Sequence, residues 1–339
     1  MHFLLGLDYE LFLGERTGSV DRCLLAPTDA IARVMEKHGF RMTLFVDASY
    51  LRRLRHFAKQ NHAATAALSA IGRQLRGLVS RGHDAQLHLH PHWEDCALSG
   101  SQWTIKTERY RLHDFPSAEI PDMLHDCVTL LAELAGCEVF AFRAGGWCLQ
   151  PFPPIGPALR AAGIRIDSTV FTGGRSEDSL RWFDFSKAPA APYWRFQDDP
   201  LIAEPEGDFL EVPISSHRLG PWFFWSMAIR KKLGGRRHKA FGDGALMQAD
   251  GGYYLRRLTQ ASVNAVSMDG AKSDMLECAY RQHAAQQAPI LNVIGHPKSL
   301  TPHALSRLDT FLARHGQKLS PLTFQQVSHL IAKGAQATH

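Results

Sequence analysis

The chain lacks the cysteine spacing of a zinc knuckle or a dithiol redox centre. Its six cysteines, at 23, 96, 127, 137, 148 and 278, form no Cys-x-x-Cys pair. It also lacks any run of about 20 apolar residues, the length a membrane-crossing helix needs. Neither charge dominates: 38 Lys and Arg stand against 33 Asp and Glu, a net charge of +5 that does not call for nucleic acid. The opening MHFLLGLDYELF carries Asp8 and Glu10 and has neither a basic leading segment nor a small-residue cleavage site, so it does not read as an export signal. Free thiols and a cytoplasmic location are therefore expected. No repeat and no low-complexity tract interrupts the chain.

What is present is the composition of a folded enzyme-sized protein: 339 residues, 45% hydrophobic and 21% charged. Short apolar runs alternate with helical patterns. The expected strands are His2–Asp8, Arg41–Asp47, Asp84–His90, Glu138–Arg143, Ile164–Val170, Asp208–Ile214 and Ile290–His296. Helical patterns cover Pro27–His38, Thr65–Arg81 with Thr65 as N-cap, Ala118–Ala135 and Pro157–Ala162. Each stops at a glycine (39, 82, 136, 163) just before the next strand, as helix C-caps do. Strand–helix alternation predicts a parallel sheet flanked by helices. Residues 172–205 read as loop, and 216–289 as a long insertion within one domain spanning 1–335.

The chemistry collects at strand ends. His88 and His92 lie four residues apart in GHDAQLHLHPHW, where a short strand gives way to a loop, and two imidazoles at that spacing can grip one divalent ion. Asp8, Arg143 and His296 also fall at or just past the C-terminal ends of expected strands. Active sites of α/β barrels are built on that rim, which favours a barrel over an open sheet. On an extended segment Asp8 and Glu10 point the same way, so both can face the histidines. His90 between the pair is expected to be structural, and His83 and His217 carry no assignment.

Read in order, LDYE (7–10), HLHPH (88–92), FRAGGW (142–147) and NVIGHP (292–297) resemble the motif series of the NodB-homology polysaccharide deacetylases, carbohydrate esterase family 4. The segment MEKHGFRMTLFVDASYL and the tail SPLTFQQV are similar to the family's recurring phrases, so the likeness spans nearly the whole chain. Two motifs depart from the family pattern. Tyr9 stands where a second aspartate is usual, giving the Asp-x-Glu form of one branch, and the FRAGGW motif lacks its proline. The resemblance implies a distorted seven-stranded (β/α) barrel of the glycoside hydrolase and deacetylase type. It implies a metal-dependent hydrolase that removes an N-acetyl group from a sugar in surface polysaccharide or glycolipid biosynthesis. Glu10, His88 and His92 would hold one divalent ion, zinc first, with cobalt, nickel or manganese compatible with the same ligands. Asp8 would be the base, Arg143 its ion-pair partner and His296 the acid, with Asp167 or Asp184 orienting His296. The Asp8 and Glu10 roles are interchangeable at this level. A backbone N–H near Gly146 would serve the oxyanion, and Trp93 and Trp147, next to two motifs, would wall the sugar cleft. Two alternatives remain: a cyclic amide or imide hydrolase on the same barrel, and an inactive glycan-binding barrel.

One segment falls outside this scheme. Residues 222–225 are Trp-Phe-Phe-Trp, and six of the ten residues 230–239 are Lys or Arg. Aromatic rings beside cations suit the interface of an anionic membrane, so Trp222–Lys239 offers a peripheral contact on the inner membrane face; the alternative, which the sequence favours, is that the aromatics pack over the barrel and the charges are solvated. Oligomeric state leaves no mark in the sequence.

Overall fold

The structure is a computed structural model that describes residues 1–327 except 15, 179 and 246–250. The last residues of the expected domain, 328–335, lie outside the described ones. A nine-stranded sheet forms the centre: β1 (His2–Tyr9), β2 (Thr43–Asp47), β3 (Asp84–Leu89), β4 (Ala141–Ala144), β5 (Ile166–Asp167), β6 (Trp194–Phe196), β7 (Phe209–Glu211), β8 (Ile290–Gly295) and β9 (Ser320–Leu322). The spatial order is β6-β7-β5-β4-β3-β2-β1-β8, with β9 also on β1. All neighbours are parallel except β6 and β7. All seven expected strands are present. The count is nine rather than seven because two three-residue strands were too short to show a period: Trp194–Phe196, inside the expected loop 172–205, and Ser320–Leu322. That loop also holds a hairpin, Arg175–Glu177 with Trp182–Asp184.

The sheet curls. Past β7 the chain reaches β8, where Ser215 N–H donates to the Asn292 carbonyl (2.8 Å) and Asn292 N–H donates to Ser215 Oγ (3.0 Å). Inside the curl, Leu4, Phe45, Ile166, Leu210, Val212, Leu322 and Phe324 form an apolar plug. The main core lies between the sheet and its outer helices: α1 (Ala26–Lys37), α2 (Ala48–Ala58), α3 (His62–Ser80), α4 (Ile120–Ala135) and α5 (Gly156–Ala161). β1 is buried along both faces after its first residue, as a parallel strand covered on each side must be.

Helix ends explain the spacing of strands. Gly39 and Gly82 adopt φ of 76° and 87°, the left-handed turn that closes α1 and α3 and releases the chain into β2 and β3. The start of α3 differs from expectation. Asn61 is its N-cap, its side chain accepting from the N–H groups of Ala63 and Ala64 (2.9 and 3.1 Å), while Thr65 lies in the first turn and donates to the Ala58 carbonyl. The insertion forms a hairpin, Ser216–Leu219 with Ser262–Ala265, and three helices: α6 (Pro221–Leu233), α7 (Gly251–Thr259) and α8 (Leu276–Ala285). After β8, α9 (Pro302–His315) packs back against α1.

Candidate active site

Alternation along parallel strands stacks the interior in layers. On β1, Leu4 belongs to the plug, Gly6 to the next layer and Asp8 to the rim. Gly6 makes room for Arg143, since a Cβ there would lie 2.9 Å from its Nη2. Arg143 is completely buried, its guanidinium 4.0 Å over the Phe45 ring. It donates to Asp8 Oδ1 (2.7 Å), to the Ser168 carbonyl (2.8 Å) and to Ser168 Oγ (3.1 Å). A charge so deep is tolerable only when paired and hydrogen-bonded, and here both conditions are met. Asp8 is thereby held by one oxygen, and Oδ2 remains on the rim side, 3.7 Å from His296 Nε2.

Glu10 follows β1 directly and meets β3 residues. Its Oε2 lies against His90 Nε2 and 3.4 Å from His88 Nε2, and Glu10, His88 and His90 form one buried group whose ligand atoms all lie within 4.8 Å of one another. His88 Nδ1–H donates to the Arg143 carbonyl (2.8 Å), which leaves the Nε2 lone pair free. Glu10 Oε2 and His88 Nε2 are buried without a hydrogen-bond partner. Orphaned acceptors on an imidazole and a carboxylate, with the second imidazole of His90 beside them, fit a divalent cation. His92 is placed otherwise. It falls past Pro91 in a single 3-10 turn, its ring 5.6 Å from that of His90 and stacked on Tyr110 (5.8 Å, 23°), outside the converging group. The converging group is therefore spaced i, i+2 along an extended segment whose alternate side chains share a face, while the expected ligand His92 lies beside it with both ring nitrogens buried and without a hydrogen-bond partner.

Two further residues complete the site, and neither was singled out in the sequence. Lys298, almost fully buried after His296-Pro297, places Nζ 2.9 Å from Glu10 Oε1 and also donates to the Leu11 carbonyl. Burial alone would raise the Glu10 carboxyl; Lys298 and His90 outweigh it and hold it well below the ordinary range. Asp269, in the insertion, accepts from His296 Nδ1 (2.8 Å) and from His296 N–H (2.8 Å). Burial lowers the His296 imidazole, but Asp269 first, then Asp8 and Glu10, push it up to about 9. His296 is therefore an imidazolium at neutral pH with Nε2 turned toward Asp8 and Glu10.

The remaining expected residues lie elsewhere. Asp167 does not reach His296. It is buried on β5, accepting from Thr169 N–H and Oγ1 (2.9 and 2.8 Å) opposite Glu211 of β7. Asp184 caps Ser186 N–H (3.0 Å) on the 175–184 hairpin, 3.7 Å from Arg175. Trp93 is no cleft wall. Fully buried between Tyr50 and Trp103, it donates to Asp47 Oδ2 (2.7 Å), and Asp47 Oδ1 accepts from the His90 N–H (3.2 Å). Trp93 thus positions the histidine segment through Asp47. Gly145–Trp147 makes a turn against His90, where a Cβ on Gly145 would lie 2.7 Å from His90 Nδ1. Gly146 has φ of 61° with Tyr110 Oη close by, and Trp147 is half-buried, edge-on to Phe171 and Phe183. Among the site groups His296 has the most exposed side chain, at 20% against 8% or less for Asp8, Glu10, His88, His90 and Lys298. The group is therefore most open to solvent on the His296 side.

No protein-family model matches the chain, and no curated protein matches it. Solved structures do resemble it. A candidate polysaccharide deacetylase from Mycobacterium smegmatis superposes with a TM-score of 0.50 at 15% identity, over 91% of this chain and 78% of that one. A family 4 carbohydrate esterase from Streptomyces lividans gives 0.39 at 12% identity, over 94% and 91%. The Puue allantoinase gives 0.45 at 13% identity, over 97% and 89%. The first of these shares the curled α/β architecture. At such identity the likeness concerns fold, and the functional reading rests on the site.

Proposed function

We propose that this protein is a divalent-metal-dependent amidohydrolase that removes the N-acetyl group from a sugar, acting in the cytoplasm in surface polysaccharide or glycolipid biosynthesis. The observation that carries the reading is the meeting of Glu10, His88 and His90 beside two dyads, Asp8–Arg143 and His296–Asp269. The three ligating residues would hold one ion, zinc first, with cobalt, nickel or manganese suited to the same donors. When bound, such an ion polarises an acyl oxygen and lowers the pKa of water from about 15.7 toward roughly 7.

The chain's own residues supply the proton traffic. Asp8 accepts the proton of the attacking water at Oδ2, the oxygen not committed to Arg143. Arg143 holds that carboxylate in place through Oδ1. His296 gives its Nε2 proton to the departing amine nitrogen, which cannot leave as an amide anion, as the C–N bond breaks. Asp269 holds the ring in the required orientation by taking the Nδ1 proton's hydrogen bond. Lys298 neutralises Glu10 without occupying its second oxygen. We assign the Gly146 N–H to the acyl oxygen and the Trp147 face to the sugar ring.

The test is acetate release from a panel of N-acetylhexosamine substrates, with and without chelator. Release that stops with chelator and returns with zinc or cobalt is expected; no release from any sugar under metal-replete conditions would overturn the reading. A cyclic ureide belongs in the same panel. With Trp93 buried, the cleft has lost one of its two expected aromatic walls, and the enclosed site favours a small ring amide as the second reading.

A further inference from the structure

The helix α6 carries an apolar stripe that the rest of the described structure leaves uncovered. Trp222, Trp225, Ile229 and Leu233, spaced 3, 4 and 4 residues apart, lie along one side of the helix and are 79%, 49%, 51% and 77% exposed. Leu255 of the neighbouring α7 adds a fifth side chain at 63%. The opposite side of α6 does the packing: Phe224 is buried with Arg257 over its ring, and Met227 is half-buried. The stripe is therefore a second apolar face on a helix that already has an inward one. Contiguous exposure on this scale marks an interaction surface.

Charge selects the partner. From Val212 to Gly242 the chain contains seven Lys or Arg and no Asp or Glu. Lys232 in the last turn of α6, and Arg236, Arg237 and Lys239 just beyond its end, are exposed. A second copy of the chain docked face to face would bring these cations against their own kind. An anionic bilayer accepts both features, with indole and aliphatic groups entering the headgroup boundary and the cations meeting lipid phosphates. The helix is also fixed to the catalytic rim. Arg230 of α6 pairs with Asp274 in the turn Gly270–Met275, which directly follows Asp269, the partner of His296.

We propose that α6 and the basic turn after it dock this protein on an anionic membrane surface, with Trp222, Trp225, Ile229 and Leu233 inserted and Lys232, Arg236, Arg237 and Lys239 on the headgroups. This holds whichever amide the active site cleaves. The experiment is co-sedimentation of the full chain with vesicles of phosphatidylcholine alone and of phosphatidylcholine mixed with phosphatidylglycerol. Wild type is expected to pellet with the mixed vesicles and to be released by high salt. The exposed triple substitution Trp222→Glu, Ile229→Glu, Leu233→Glu should weaken binding by about tenfold or more, given the transfer energy of the side chains withdrawn. Lys232→Gln with Arg236→Gln and Arg237→Gln should abolish the preference for the anionic vesicles. Thermal melting and light scattering accompany each variant. Wild type that stays in the supernatant with mixed vesicles overturns the proposal, as does a folded triple variant that pellets equally. A wild-type dimer that the triple variant converts to monomer, with no vesicle binding, assigns the stripe to self-association instead.

Discussion

On an extended segment side chains two apart share a face, and this decides which imidazoles meet Glu10. His88 lies on β3 one residue before its end and His90 follows on the same face, whereas Pro91 turns the chain before His92. His90→Ala should therefore cost the protein its ion, while His92→Ala should leave metal content intact and disturb only the packing on Tyr110. Elemental analysis of the purified variants checks this. Retention in His90→Ala together with loss in His92→Ala would return the ligand role to the i, i+4 pair. Asp8→Asn is the companion change: metal should remain while turnover falls by roughly 10²–10⁴-fold, the usual worth of a general base. An Asp8→Asn protein that emptied of metal would exchange the assignments of Asp8 and Glu10. Asp8, Glu10, His88, Arg143 and His296 were legible because each sits at or just past the end of an apolar run. Lys298 and Asp269 were not. Nothing local distinguishes Lys298 from a solvated surface lysine, and Asp269 is 27 residues from the imidazole it orients, inside an insertion with no motif of its own.

Strands lying within a longer apolar run were readable as elements, the short β5 and β7 included, whereas β6 and β9, three residues with no such run around them, were not. Sheet neighbours were less legible still, since β5 and β7 meet across more than 40 residues of chain broken by a hairpin and β6. That pairing sets Asp167 and Glu211 side by side in register, both buried. Two carboxylates cannot both ionise there. Burial first, and then the Asp167 charge, raise Glu211 well above the carboxylate range, so Glu211 is the member of the pair that carries the proton. A folded pKa raised above the unfolded one means that the favourable contribution is complete at acid pH and is lost as pH rises past the unfolded value. Glu211→Gln supplies a permanent donor of nearly the same shape. It should match wild type near pH 4.5 and melt at the same or a higher temperature at pH 8, by differential scanning fluorimetry. A marked loss of melting temperature at pH 8 would show that Glu211 is needed as a carboxylate and not as a donor.

At the scale of the whole molecule, the rim gathers opposite charges whose linkage shapes stability when no ion is bound. Lys298 and His90 depress Glu10 against the effect of its burial, so its contribution is present above the ordinary value of 4.5 and is lost as pH falls through the lower folded value. His296 works from the other side. Raised from 6.5 to about 9 by Asp269, Asp8 and Glu10 against its own burial, it contributes fully below 6.5 and is lost as pH rises through 9. The chelator-treated protein should therefore be most stable between these limits, with an alkaline limb that falls from 6.5 to 9. Other groups titrate too, so the informative quantity is a difference. Asp269→Asn removes the largest of the charges that raise His296 against its burial, while keeping a group of the same size that can still accept the Nδ1 hydrogen bond. The gap in melting temperature between wild type and Asp269→Asn, measured in chelator, should be widest below pH 6.5 and close as pH passes 9. A gap that stays constant across that range would mean that Asp269 matters for packing alone. The imidazolium, and the proton it is proposed to deliver to the leaving amine, would then lose their physical basis.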